Sequence, residues 1–597
     1  MKLCIAEKPS VAKDLANILG ANARHDGYFE GNGYLVSWTF GHLCTLKEPQ
    51  DYKDHWKYWK IEDLPIFPER FGIKIKNNQG IQKQFELITK LVAKATEVIN
   101  CGDAGQEGEL IQRWVLIKAN CKVPVKRLWI SSLTEEAIKE GFKKLKDASK
   151  YDNLFAAGNS RAIGDWILGI NGTRLYTKKF GQNKTTLSVG RVQTPTLAMI
   201  VNRQHEINNF KVEHFWELKT IYRDTEFSCQ IDRLKSKSRA EEGIAYLQDK
   251  EFEIVSYEQK EGKENNPRLY DLTSIQVDAN KKFGYTAEET LKTVQSLYEK
   301  KLVTYPRVDT TYLSEDLHPK VPKILTNLQQ YAQLIEPLMK KPIAKSKTIF
   351  NDKKITDHHA IIPTGVNGQG LSGFEEKIYD LICRRFIAVF YPPCKVSNTT
   401  VLGKVEKLEF KTSGKQIIAP GWRVLYQGES KTENTNDSNN TTESKAESKD
   451  KVLPNFVKGE KGPHAPHIHE GKTSPPKYYT EASLLRSMET AGKFVDNDEM
   501  RDLMKENGIG RPSTRANIIE TLFRRKYIER KKKNIHATDL GIRLIGTIKN
   551  DLLKSPELTG RWENKLRQIE KGTYSPSEFR QELFQMIRKL TDEVIFN

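Results

Sequence analysis

The sequence predicts a multidomain chain: an α/β unit built on a mainly parallel sheet, followed by helical and β-rich units. Three observations lead there. At 597 residues the chain exceeds what one core organises. Short apolar strands alternate with helical stretches through its first part. Strand-like text at 215–257 and again near 400 brackets a helical insert of about 270–390, so one β-rich unit is interrupted by another.

"KLCIA" is a short apolar strand, and "PSVAKDLANIL" follows with Val11, Leu15, Ile18 and Leu19 at helical spacing. Pro9 suits the first helical turn, where its missing N–H costs nothing. A helical stretch near 83–95 leads to "EVINC", an acidic loop, and a helix carrying Leu110, Ile111, Trp114 and Val115. "VKRLWIS" closes the unit as another strand. Sheets of this kind bind ligands at the carboxyl ends of their strands, and Glu7 and Asp103 stand at two such ends.

Residues 151–208 read as helical, interrupted by "FGQNKTTLSVGRVQTP". "FWELKTIYR" and "EFEIVSY" are strand-like. "TAEETLKTVQSLYEK" is a helix whose Thr286 and Glu289 have capping-box spacing. "TVLGKVEKLEFKTSG" returns to β. Residues 429–450 hold no apolar side chain larger than Ala446 and are expected to be a disordered linker. Beyond 475, Leu484, Leu485 and Met488 share one helical face. "RPSTRANIIETLFRRKYIERKKKNIHATDLG" reads as a helix burying Ile519, Leu522 and Phe523, then a basic two-stranded wing; a solvated charged hairpin is the alternative.

Lys and Arg number 96 against 77 Asp and Glu, a net charge of +19. Such an excess favours a polyanionic partner, because each neutralised phosphate releases counterions. A merely soluble basic protein is the plainer reading. The seven cysteines never form Cys-x-x-Cys, which argues against zinc ribbons and a disulfide framework and fits a reducing compartment. No signal peptide and no apolar run of membrane-spanning length occurs, so the expectation is a soluble, cytoplasmic protein with no membrane partner.

The chemistry gathers in two places. "NCGDAGQEGELI" holds Asp103, Glu107 and Glu109, and Glu7-Lys8 adds a carboxylate and an ammonium. Mg²⁺ keeps several waters and often takes one or two carboxylates plus substrate phosphate. An alternating Asp-x-Asp-x-Glu would be the expected cage, but the middle position is Gly105, and a solvated acidic turn before a helix is the alternative. "LVTYPRVDTTYL" puts Tyr305 at the end of an apolar strand with Arg307 two residues on. A phenol titrates near 10 and needs help to act as a nucleophile. A guanidinium can stabilise both the phenolate and charge developing on phosphorus. A lone Tyr-x-Arg is more often structural; its company decides.

In order, "IAEKPSVAKDLA", "GDAGQEGEL", "NSRAIGDWILGINGTRLYT", "LSVGRVQTPTLAMI", "LYDLTSIQ", "TYPRVDTTYL", "DHHAIIPT" and "GIGRPSTRANII" resemble the type IA DNA topoisomerases, most closely the topoisomerase III branch. The resemblance runs from Met1 to about Tyr574. It implies that Tyr305 attacks one DNA strand to give a 5′-phosphotyrosyl enzyme and a free 3′-hydroxyl, with Arg307 holding the scissile phosphate. Glu7 and Lys8 would assist proton transfer and neutralise the phosphate. Glu7, Asp103 and Glu107 would hold Mg²⁺ in a Toprim domain, and His358 would lie near the scissile group, with His359 structural. His42 would contact DNA near the cleavage site. Arg161, Asp165, Thr173 and the run Ser188, Val189, Gly190, Arg191, Val192, Gln193 and Thr194 would line a single-strand groove.

The usual Arg before the last acid of the metal loop is here Gln106, and Gly105 removes one ligand, so the implied site is weakened but working. The resemblance further implies domains closing a torus. These are a Toprim domain at 1–150, a helical groove domain at 151–210 and 474–597, a β-rich arm at 211–270 and 393–473, and a tyrosine-bearing helical domain at 271–392. The substrate would be single-stranded segments of duplex or catenated DNA, chromosomal or plasmid, relaxed or decatenated without ATP. A helicase and a single-strand-binding protein are the candidate partners. A Toprim nuclease or primase would share the acidic loop but lack "TYPR", and a non-catalytic single-strand binder would leave linking number unchanged.

Overall fold

In the computed structural model, residues 1–182, 185–355, 358–366, 368, 370–427, 451–491 and 508–596 are described. The linker expected at 429–450 lies outside the described residues. The first sheet contains β1 (Lys2–Ala6), β2 (Ala23–His25), β3 (Tyr28–Gly31), β4 (Tyr34–Trp38), β7 (Glu97–Cys101), β8 (Val125–Arg127) and β9 (Lys146–Asp147). Its order is β2-β3-β4-β1-β7-β8-β9. The central strands β4, β1, β7 and β8 run parallel, while β2, β3 and β9 are antiparallel at the edges. A separate ribbon pairs β5 (Cys44–Leu46) with β6 (Ile73–Ile75).

Helix α1 (Pro9–Leu19) starts on Pro9 and stops at Gly20, whose φ of 77° suits a residue without a Cβ. Helix α2 (Gln79–Lys94) begins earlier than periodicity indicates, because the Asn78 side chain caps the N–H of Ile81. Helix α3 (Gln106–Lys118) buries Leu110, Ile111, Trp114 and Val115. "VKRLWIS" is a strand only through Arg127. Beyond it Trp129 stacks on Tyr151 at 4.9 Å and on His358 at 6.0 Å, so the chain leaves the sheet to build the site.

Because side chains alternate along a strand, β1 presents Leu3 and Ile5 to one face and Cys4 and Ala6 to the other. The first pair joins a core with α2, α3, α5 (Asp152–Phe180) and α6 (Gln193–Asn208). The second joins a core with α1, with Ile138 of α4 (Glu135–Lys143), and with Tyr305 and the helices around it.

Helix α7 (Lys237–Leu247) packs on β10 (His214–Tyr222) of a second, wholly antiparallel sheet. Its other strands are β11 (Thr225–Cys229), β12 (Phe252–Glu264), β13 (Cys394–Val405), β14 (Leu408–Ala419), β15 (Lys461–Gly462) and β16 (Ala465–Lys472). They lie in the order β15-β12-β13-β14-β11-β10-β16. The chain departs after β12 and returns at β13. Between them lie α8 (Leu272–Phe283), α9 (Ala287–Glu299), α10 (Val321–Asn327), α11 (Ala332–Met339) and α12 (Gly373–Ala388). The capping box of Thr286 and Glu289 opens α9.

Helix α13 (Glu481–Glu489) buries Leu484, Leu485 and Met488. The helix Pro512–Arg524 leads into the hairpin of β17 (Ile528–Lys531) and β18 (Asn534–Ala537). Ile519 and Leu522 are buried there, but Phe523 is only half-buried: it packs at the edge of the core, with its ring 3.6 Å beneath the Arg530 guanidinium. Helices Pro556–Glu570 and Pro576–Phe596 lie along α5. Among the described residues, no helix is long and apolar enough to cross a membrane.

Candidate active site

Glu7 follows the end of β1 and Asp103 follows the end of the neighbouring β7, so parallel pairing brings them together. The Asp103 N–H donates to Glu7 Oε2 at 3.3 Å. Burial, reinforced by the Asp103 charge, pushes the Glu7 carboxyl up to about 7 against the pull of Arg307 and Lys8. Burial also raises Asp103, while Arg307, Lys8 and Arg127 oppose it. Asp103 Oδ2 is buried with no hydrogen-bond partner among the described residues. Two hard oxygen ligands strained by each other's charge fit a divalent cation of the Mg²⁺ type. The Lys8 ammonium is engaged by Glu299 of α9.

The other loop acids point elsewhere. Glu109 is fully buried, accepting from Arg127 Nε at 2.8 Å, Arg113 Nε at 3.0 Å and Asn100 Nδ2 at 3.1 Å, so it anchors α3 to the sheet. Glu107 Oε1 lies 2.5 Å from His42 Nε2, and that hydrogen bond holds its carboxyl below the usual range. The expected set of Glu7, Asp103 and Glu107 is therefore brought together only in its first two members. Among the described residues, no three His, Cys, Asp or Glu side chains converge as a ready cage. Gly105 has an extended φ of 175°, which any residue adopts. A Cβ there would lie 3.8 Å from Tyr305 Oη, in ordinary contact.

Tyr305 sits on an extended segment held by an isolated bridge between Val303 and Pro363, not on the full strand that its apolar neighbours indicate. Its N–H donates to the Ser131 carbonyl at 3.0 Å. The Ser131 hydroxyl lies 2.7 Å from His358 Nδ1, and His358 Nε2 contacts the Ala104 carbonyl. A carbonyl only accepts, so the proton is on Nε2 and Nδ1 accepts from Ser131. Burial lowers His358 to about 4, so the ring is neutral. Its ring centroid lies 4.6 Å from that of Tyr305. His359 is buried and bonded to the Ala360 carbonyl, consistent with a structural part. Burial, with Asp103, raises the Tyr305 hydroxyl well above its ordinary value, and Arg307 opposes the rise. Tyr305, Arg307, His358, Gly105 and Arg161 share the wall of a cavity of about 540 Å³.

A second cleft of about 740 Å³ is lined by Asp165, Thr173, Ser188, Val189, Gly190, Arg191, Val192 and Gln193. Its loop is stapled from within. The Val189 N–H donates to Thr173 Oγ1 at 3.1 Å, the Gly190 N–H to Thr194 Oγ1 at 3.0 Å, and Gln193 Nε2 to Ser188 Oγ at 2.9 Å. Thr194 is buried and does not line the cleft; its hydroxyl holds the loop in place. His42 lines neither cavity, being turned to Glu107. Arg161 lines the smaller cavity and Arg191 the larger, and carboxylates of the protein engage both. Both donate to the buried Glu563, Arg161 at 2.6 and 2.8 Å and Arg191 at 2.8 Å, and Arg191 also donates to Asp165 at 3.0 Å.

Residue types alone did not mark Glu563, Glu299, Trp59, Arg174 or Arg525. The last three line the larger cleft, and Arg525 Nη1 donates to Gln193 Oε1 at 2.5 Å. A signal for Glu563 exists: it falls inside the apolar stripe of Leu558, Trp562, Leu566 and Ile569, where a charge demands a partner.

A family model described as DNA topoisomerase matches residues 149–581, and one described as Toprim domain matches residues 2–133. DNA topoisomerase 3 of Bacillus anthracis is 39% identical, with 99% of this chain and 81% of that protein covered. DNA topoisomerase 3 of Bacillus subtilis (strain 168) is 38% identical, with 96% of this chain and 79% of that protein covered. The structure of full-length topoisomerase I from Thermotoga maritima superposes with a TM-score of 0.73 at 22% identity, over 99% of this chain and 90% of that one.

Proposed function

The chain belongs to the type IA DNA topoisomerases, on the topoisomerase III branch, and from that membership we propose that it cuts one DNA strand through Tyr305, passes a strand and reseals the break without ATP. The observation that carries this reading is the Tyr305 hydroxyl facing Gly105 in a cavity shared with Arg307, beside the Glu7–Asp103 pair. In the proposed step the Tyr305 oxygen bonds to the scissile phosphorus and the bond to the 3′-oxygen breaks. The phenolic proton departs and a proton arrives on the 3′-oxygen. Glu7, whose carboxyl burial raises to about 7, is suited to carry it. Arg307 neutralises charge developing on the phosphate. The phosphotyrosine keeps the energy of the diester, so resealing reverses the step.

Glu7 and Asp103 would hold Mg²⁺, which when bound aligns phosphate and 3′-hydroxyl for resealing. Single-stranded segments of chromosomal or plasmid DNA in the cytoplasm are the proposed substrate. A helicase and a single-strand-binding protein, which expose such segments, are the proposed partners.

The test is end-labelling before denaturation in detergent. A label at the 3′ end of a single-stranded oligonucleotide should travel with the protein, and a label at the 5′ end should leave on a free fragment. Release of both labels would indicate hydrolysis and defeat the reading.

Affinity for single strands should fall with salt at a log–log slope of about −0.7 per contacted phosphate. A flat response in a filter-binding titration would contradict a phosphate-tracking cleft. Gly105→Asp fits the backbone and adds a carboxylate facing Tyr305. It should lower the Mg²⁺ concentration for half-maximal relaxation and tighten Mg²⁺ binding by calorimetry. An unchanged or raised midpoint would remove residue 105 from the metal's surroundings.

A further inference from the structure

The wall of the Tyr305 cavity contains two donor atoms with no acceptor among the described residues. Gln106, the first residue of α3, is 7% exposed. Its Oε1 accepts from Arg161 Nε at 3.1 Å. A guanidinium only donates, so the atom facing Arg161 must be the oxygen, and the amide NH₂ is turned away from it. Nε2 is buried with no hydrogen-bond partner among the described residues, and so is Arg307 Nε. Both residues belong to the same cavity as Tyr305.

The amide is held in place. Glu563 takes both terminal nitrogens of Arg161, leaving Nε for Gln106. Gly158 of α5 lets that helix approach so closely that a Cβ there would lie 3.0 Å from Gln106 Cγ. A buried donor with no acceptor is costly, and costly donors kept rigid beside a reacting group await an acceptor that arrives from outside. In a cavity that also holds Arg307, that acceptor is anionic oxygen.

We propose that Gln106 Nε2 donates to a non-bridging oxygen of one backbone phosphate of the cleaved strand, within the Tyr305 cavity. The proposal rests on the strand-cleaving reading of this site. A neutral amide positions the phosphate without adding charge near Glu7 and Asp103, whose ionisation already depends on the local balance.

The experiment scans a single-stranded oligonucleotide with one methylphosphonate at a time, which removes a phosphate's charged oxygen. Affinity is measured for Tyr305→Phe alone and combined with Gln106→Met or Gln106→Glu. Loss of a hydrogen bond to a charged group is worth about tenfold. In Tyr305→Phe, one methylphosphonate near the cleavage position should weaken binding by about that factor. With Gln106→Met added, the penalty at that position should vanish while the others persist. Gln106→Glu keeps the oxygen toward Arg161 and guards against misfolding; it should erase the same penalty and bind unmodified strand more weakly. Penalties unchanged at every phosphate, or shifted equally at all of them, would overturn the proposal. The wild-type adduct on unmodified strand is scored separately, so its absence would defeat the cleavage reading while the phosphate map still judges Gln106.

Discussion

Tyr305→Phe should leave single-strand binding nearly unchanged and abolish both the covalent adduct and plasmid relaxation. Only the oxygen proposed as the nucleophile is removed. The ring stays wedged between Tyr298, at 5.6 Å, and His358, at 4.6 Å. The backbone N–H keeps its bond to Ser131. Loss of relaxation should therefore exceed a thousandfold, roughly what removing a covalent nucleophile costs an enzyme. Binding within about twofold of wild type separates chemistry from folding. If the variant still relaxes negatively supercoiled plasmid, another group is the nucleophile.

Glu563→Gln should be strongly destabilising for an exchange of nearly equal size. It keeps the shape but leaves the half-buried Arg161 and the buried Arg191 without their shared carboxylate. Breaking one side of a buried pair costs about 3–5 kcal/mol. Burial opposes ionisation of Glu563, yet Arg161, Arg191 and Arg511 hold its carboxyl far below the usual range. Its folded-state value is thus depressed relative to the unfolded chain, near 4.3. The contribution is fully present above that pH and is lost as pH falls toward the folded value. The first thermal transition of the variant should lie well below wild type at pH 7, and the gap should narrow below about pH 4 as the wild type loses the same carboxylate. An equal gap at both pH values would mean that packing, not charge, is what the substitution removes.

How much of this was legible beforehand follows from what kind of information each feature needs. The strand ends bearing Glu7 and Asp103 were readable because parallel alternation is a local pattern. Tyr305 stands out as a candidate nucleophile only through its companions, since Tyr-x-Arg is common by itself. The extent of "VKRLWIS" as a strand was misjudged, because Trp129 stacks on Tyr151 and His358, which a local window does not connect. The carboxylates show the same limit. Asp103, Glu107 and Glu109 look equivalent in the sequence, yet one faces Glu7, one faces His42, and one is locked by Arg127. Those choices are made by residues 18 to 96 positions away. The ion pairs of Arg161 and Arg191 are invisible to a local window because their partner is Glu563, 402 and 372 residues further on.

The contact between Lys8 and Glu299 joins the sheet that carries the acids to the helices that carry Tyr305. On the proposed role of Lys8, an incoming phosphate and Glu299 compete for one ammonium. Whatever the ion pair contributes to keeping those two parts together, the strand must displace, and the coupling is reciprocal. A strand that wins Lys8 loosens the seam between the parts, and a tighter seam weakens the strand by the same factor. Loading of DNA and parting of the protein would then be two readings of a single equilibrium.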